Sequence, residues 1–214
     1  MQKTILRRGL MFVLSSPSGA GKTTIAKALL ERDSTIKLSI SKTTRPPRMN
    51  EIDGKDYIFT DKENFLKDIE NELFLEYACV FDNYYGTPKK DVFDLLEQGK
   101  DVLFDIDWQG TQQIHAKAPQ DLVRIFILPP SMDILKERLK NRGTETQEIY
   151  EKRLNMAYSD ITHFAEYDYV LINDNVEESI KNIHIILEAE RLKRHRLVGM
   201  VDFVNKMRYV DNEE

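Results

Sequence analysis

The chain has 214 residues, 41% of them hydrophobic and 31% charged, with a net charge of −5 and one cysteine. That composition suits one main hydrophobic core carrying smaller inserted lobes, and the acidic balance excludes binding to nucleic acid by overall charge. A single thiol excludes an internal disulfide and fits a reducing, cytoplasmic location, and no apolar run approaches the ~20 residues of a membrane span.

The first sixteen residues, "MQKTILRRGLMFVLSS", place charges before a short apolar run, as a secretory leader does. The run is too short for that and leads straight into a glycine-rich loop, so it reads as the first core strand, over 10–16. "GKTTIAKALLERD" follows as a helix, with Ile25, Ala28, Leu29 and Leu30 on one stripe. "IKLSI" (36–40), "DVLFDID" (101–107), "LVRIFILPP" (122–130) and "YDYVLIND" (167–174) read as further strands. Near-continuous apolar strands are what a parallel sheet buried on both faces requires. Helical patterns cover 131–142, 146–163 and 176 onward. The expected fold is α/β, with a P-loop NTPase-type parallel sheet and helices on both faces.

The stretch 41–98 breaks this rhythm with short strand-like pieces around a helix signal, "DKENFLKDIEN". It reads as an inserted mixed α/β lobe. The expected organisation is core at 1–40, lobe at 41–98, core at 99–130, helical lid at 131–163, core at 164–190 and a C-terminal extension at 191–214. Cys79, in the apolar "FLEYACV", is expected to be buried. The basic cluster "RLKRHR" after 190 reads as a solvated, dipole-matched helix end.

"SSPSGAGKTT" carries the chemistry. The phosphate-loop pattern G-x-x-x-x-G-K-[ST] is met except that Ser16 stands at its first glycine. The loop of Ser16, Pro17, Ser18, Gly19, Ala20 and Gly21, leading through Lys22 and Thr23 to Thr24, can line an anion nest at a helix start with the backbone N–H groups of its residues other than Pro17. Lys22 can reach terminal phosphates and Thr23 can offer its hydroxyl to Mg²⁺. In the lobe, Arg45 and Arg48 lie three residues apart across two prolines, which suits a dianionic phosphate. Tyr57, Tyr84 and Tyr85 add phenolic donors. Glu76 is an isolated acid in an apolar strand, costly there unless a donor meets it. A guanine edge, with N1–H beside N2–H₂, is such a donor; an acid on a strand edge facing water is the plainer reading.

These segments, with "SISKTTRPPR", "DGKDY", "NYYGT", "DVLFDIDWQG", "LPPS" and "LKERLKNRG", resemble the guanylate kinase family over about residues 9–190. The resemblance implies transfer of the γ-phosphoryl group of ATP to GMP, and to dGMP, in purine nucleotide supply. It implies Ser41, Arg45, Arg48, Tyr57 and Tyr85 as ligands of the GMP phosphate, and Glu76, Thr87 and Asp107 on the guanine side. It implies Asp105 with Thr23 as the Mg²⁺ residues, Arg138, Arg142 and Arg153 as lid arginines, and Asn173 near the adenine. The substrates so implied are ATP and GMP, with no nucleic acid or membrane partner. Both monomer and homodimer stay open. The sequence departs from the family's common pattern at Ser16, at "RMNE" beside Arg48, at "NDN" (173–175) and at Asp160. The competing readings are a kinase of the same fold acting on another phosphate, and a non-catalytic guanylate-kinase-like domain that binds phosphopeptides. The intact Lys22 and Thr23 favour catalysis.

Overall fold

Strand β1 (Met11–Ser15) is buried at all five positions, because it lies at the centre of a five-stranded sheet. The computed structural model describes residues 6–141 and 147–209. The sheet order is β2-β7-β1-β8-β9, with β2 at Ile36–Leu38, β7 at Asp101–Phe104, β8 at Leu122–Leu128 and β9 at Tyr169–Ile172. Every pairing in it is parallel, so crossover helices must cover both faces. Alternate residues of β1 serve opposite faces. Phe12 and Leu14 pack with Ile25 and Leu29 of α1 (Lys22–Arg32) and with Ile180, Ile183 and Leu187 of α7 (Val176–Arg191). Met11 and Val13 pack with Val92 and Leu96 of α3 (Lys89–Glu97) and Ile114 of α4 (Trp108–Lys117). Helices α3 and α4 were not among the helical patterns read from the sequence. Within α1, Ala26 rather than Ala28 completes the fully buried stripe.

A second sheet, ordered β4-β3-β6-β5, forms the lobe. It comprises β3 (Lys42–Thr43), β4 (Ile58–Phe59), β5 (Phe74–Val80) and β6 (Asn83–Pro88), with α2 (Lys62–Glu70) against it through the stacked rings of Phe65 and Phe74. Asp61 caps α2 by accepting from the Asn64 N–H, and burial of Phe65 ties the helix down. The lobe is fixed to the core where Leu75 joins the α3–α4 cluster. Gln113 of α4 bonds both backbone groups of Tyr77, and the Lys117 ammonium donates to the Phe74 carbonyl. Cys79 is exposed, contrary to expectation. Strand β5 is an edge strand, and only its first three residues are covered, ending at Glu76.

Helices α5 (Met132–Asn141) and α6 (Gln147–Ile161) make a small cluster of their own, from Leu135, Leu139 and Ala157. A 3-10 turn (Thr162–Glu166) leads from α6 back toward the core, where His163 stacks on Trp108 at 3.7 Å. The tail ends in α8 (Met200–Tyr209). Two arginines of the basic cluster are not solvated as the sequence suggested. Arg191 binds Asp33 and Asp101, and Arg196 is buried against Glu190. The Asp33 and Asp101 carboxylates on Arg191 come from distant parts of the chain, whereas the one on Arg196 stands six residues before it. No helix among the described residues is long and apolar enough to cross a membrane.

Candidate active site

The chain leaves β1 at Ser15 and turns through the phosphate loop into α1. Gly19 and Gly21 sit at φ 91° and 100°, in the left-handed region that residues with a Cβ rarely adopt. Gly21 is the N-cap of α1, and no side chain caps the helix. No acidic residue stands in its first turn either, so the positive end of the helix faces outward uncompensated. Thr23 and Thr24 are exposed; Ser16 and Ser18 are half-buried, and Pro17 and Ala20 are buried. The Ser16 hydroxyl donates to the Pro17 carbonyl at 3.1 Å. A serine therefore serves locally where the pattern has glycine.

Lys22 pairs with Asp105, just beyond β7, at 2.5 Å. Both line a cleft of about 180 Å³ with Ser16, Asp107, Trp108 and Asp160. The cleft lies past the carboxyl ends of β1 and β7, where open α/β sheets place their ligands. Burial holds the Asp160 carboxyl above its ordinary range, with the Asp107 charge adding to it and His163 and Lys22 opposing. Among the described residues, no group of three or more His, Cys, Asp or Glu side chains could hold a metal unaided. The Thr23 hydroxyl and the Asp105 carboxylate still fit Mg²⁺. That ion takes oxygen ligands and is commonly bound by one or two protein groups plus substrate phosphates.

The lobe presents two further groups. Arg45 pairs in bidentate fashion with Glu51, at 2.8 and 2.9 Å, and lies 5.2 Å from the centre of the Tyr57 ring. Glu51 also accepts the backbone N–H of Arg48 at 2.8 Å. Hydrogen bonding to Glu51, opposed by burial and helped by Tyr85, raises the pKa of Arg45. Tyr57 and Tyr85 meet edge to face. Ser41 is half-buried, its carbonyl accepting from Ile58 N–H, and the Arg48 side chain is exposed. Glu51 went unnoticed in the sequence. Its signal is an acid three residues past the second arginine, in a turn.

Glu76 and Thr87 face each other across β5 and β6. Glu76 is only 5% exposed and accepts from the Thr87 hydroxyl at 2.6 Å. Its other oxygen lies against Gly110, where an added Cβ would stand 3.3 Å away. Asp107 caps α4 there by accepting from Gly110 N–H at 2.9 Å. Burial raises the Glu76 carboxyl above its ordinary range, the Thr87 hydrogen bond opposes, and the Asp107 charge raises it further. The lobe carboxylate and the core carboxylate thus meet at the lobe–core junction.

On α5, Arg138 is half-buried, and its Nη1 is buried with no hydrogen-bond partner among the described residues. Arg153 is half-buried on α6, and Arg142 lies outside the described residues. Asn173, expected near the adenine, lies at the carboxyl end of β9. It is 1% exposed, beneath the phosphate loop, and its amide donates to the Ala20 carbonyl at 2.7 Å. Its carboxamide oxygen accepts from Ser179 at 3.0 Å.

A parallel sheet, a glycine loop opening a helix at the end of its central strand, and a second sheet inserted between β2 and β7 define a protein of the P-loop NTPase fold. The comparisons narrow the class. A guanylate kinase family model matches residues 8–190. The guanylate kinase of Paramagnetospirillum magneticum is 54% identical over 96% of each chain, and that of Zymomonas mobilis is 51% identical over 95% of this chain and 94% of its own. The crystal structure of guanylate kinase from Anaplasma phagocytophilum aligns with a TM-score of 0.72 at 39% identity, covering 94% of this chain and 96% of its own. The chain belongs to the guanylate kinase family.

Proposed function

We propose that the chain transfers the γ-phosphoryl group of ATP to GMP, and to dGMP, yielding ADP and GDP or dGDP. The observation that carries the acceptor assignment is the buried Glu76–Thr87 pair at the lobe–core junction. A carboxylate with one oxygen held by a hydroxyl can accept from guanine N1–H and N2–H₂; adenine has no such pair of donors. Asp107 adds a contact on the same side. Ser41, Arg45, Arg48, Tyr57 and Tyr85 hold the GMP phosphate, and Glu51 keeps Arg45 in position for it.

The donor triphosphate lies in the loop from Ser16 to Thr24, with Lys22 reaching its terminal phosphates. Thr23 and Asp105 would hold Mg²⁺, which when bound with ATP offsets phosphate charge. The acceptor is a phosphate oxygen already anionic near neutral pH, so the protein needs no general base. What remains is positioning and charge neutralisation. Arg138, Arg142 and Arg153 supply the latter from the lid, and the Arg138 Nη1, without a hydrogen-bond partner among the described residues, supports that assignment. The intact loop and its Lys22–Asp105 pair favour this reading over a phosphopeptide-binding domain.

Formation of ADP from Mg²⁺-ATP with GMP, AMP, CMP and UMP as separate acceptors tests the proposal. Turnover with GMP alone, lost or relaxed in Glu76→Ala, is expected. Equal turnover with AMP would overturn the guanine assignment, and silence with all four would overturn catalysis.

A further inference from the structure

We infer that Asn173 is a positioning residue that sets the peptide orientation of the phosphate loop. The inference rests on the reading that this loop binds the donor triphosphate. Asn173 N–H extends the β8–β9 ladder by donating to Leu128 O at 2.8 Å. Its side chain is fixed from the other end by Ser179, a buried residue in the first turn of α7, whose hydroxyl donates to Oδ1. With Oδ1 so engaged, the amide group must point the other way, and it donates to the carbonyl of Ala20. The assignment of oxygen and nitrogen is the one both partners require, since a carbonyl cannot donate.

The consequence follows from peptide geometry. No peptide bond among the described residues is cis. In a trans peptide, the carbonyl and the next N–H point in opposite directions. Pinning Ala20 C=O inward on Asn173 therefore turns Gly21 N–H away from the core, to the side where a phosphate oxygen can be met. The same contact excludes a side chain at Gly21, where an added Cβ would stand 2.4 Å from Asn173 Nδ2. Asn173 thus acts through the loop and needs no contact with the nucleotide base.

The test separates this role from an adenine contact. Inorganic tripolyphosphate with Mg²⁺ presents the loop with the phosphates and no base. Asn173→Asp keeps the shape and replaces the donor by an acceptor facing another acceptor. Titration calorimetry of this variant should show Mg²⁺-tripolyphosphate and Mg²⁺-ATP weakened by the same factor, about tenfold or more, with GMP affinity unchanged. As pH falls and the buried carboxyl takes up a proton it can donate, the ratio of variant to parent affinity should recover. Ser179→Ala, a milder change, should weaken both triphosphates in the same direction by less, which keeps the inference testable if Asn173→Asp does not fold. ATP weakened with tripolyphosphate unaffected would overturn the inference in favour of a base contact. Loss of GMP affinity in step with thermal stability would overturn it in favour of a merely structural role, as would unchanged affinities. Failure of the parent protein to phosphorylate GMP, with tripolyphosphate still bound, would instead count against the proposed reaction alone.

Discussion

Glu76 shows how a binding group can cost stability. Burial raises its carboxyl above the ordinary range, so its contribution to stability is fully present below the ordinary carboxylate pKa and is lost as pH rises through the raised value. Glu76→Gln removes that cost, and the unliganded variant should melt no lower than the parent at neutral pH. Guanine donors favour the ionised form. GMP binding in the parent should therefore weaken as pH falls through the raised pKa, and in Glu76→Gln this part of the pH dependence should vanish. The variant's KM for GMP should rise about 10- to 100-fold, as for a lost hydrogen bond to a charged group. A second prediction concerns Arg138. If it neutralises the transferring group, Arg138→Ala lowers kcat by roughly 10³ or more with KM for GMP little changed. A rise in KM alone, read from steady-state kinetics, would make it a binding residue instead.

Among the elements, the near-continuous apolar strands β1 and β8 were plain in the sequence because a doubly covered parallel sheet admits little else. Helix α4 was not, because its buried face is built from Gly110, Thr111 and Ile114 and carries little apolar periodicity. The phosphate loop and Glu76 were legible because each breaks the local composition, with glycines beside a lysine in one case and an acid among apolar residues in the other. The contacts of Glu51 and Asn173 were not legible. The Asn173–Ala20 bond spans 153 residues of sequence, and no local pattern announces it. The hairpin between β5 and β6 offers a test at this level. Phe81 and Asp82 sit at φ 48° and 62°, and Val80 pairs with Asn83 across them. A two-residue turn with both central residues left-handed prefers Asn-Gly, and Phe81 is 88% exposed. Replacing the pair by Phe81→Asn and Asp82→Gly should stabilise the chain by about 1 kcal/mol in urea unfolding. A loss of stability would show that the Phe81 ring makes a contact worth more than the turn.

Taken as a whole, the molecule is tied together by charges from distant parts of the chain. Asp101, fully buried at the start of β7, accepts from Arg7, from the Leu10 N–H and from Arg191 at the end of α7. Arg191 also reaches Asp33, beyond α1. Burial would raise the Asp33 carboxyl, but hydrogen bonds from Thr35 and Arg191 outweigh it and hold it at about 2. The folded pKa is depressed, so its stabilisation is present above the ordinary value and is lost as pH falls through about 2. Arg191→Ala removes one cationic partner from Asp101, which keeps Arg7 and the Leu10 N–H, and from Asp33, which keeps Thr35, and should cost about 2 kcal/mol at neutral pH. The Asp33 share of the gap from the parent should shrink as the pH of thermal melts is lowered from the ordinary value of 3.8 toward about 2. A constant gap would assign the loss to packing alone. Helix α5 is joined to the loop more lightly, through Leu135 and Leu139 against Gly19, which suits the proposed lid. Closure over both substrates would exclude water and restrain hydrolysis of ATP without an acceptor.

Coupling of ATP cleavage to an acceptor can be measured directly. Mg²⁺-ATP is incubated with the full chain, with and without GMP, and ADP, GDP and inorganic phosphate are separated and quantified. Equal amounts of ADP and GDP are expected when GMP is present, and almost no phosphate release when it is absent. Release of phosphate without GDP would make the protein a nucleotide hydrolase. Binding of GMP with no ADP formed would contradict catalysis altogether.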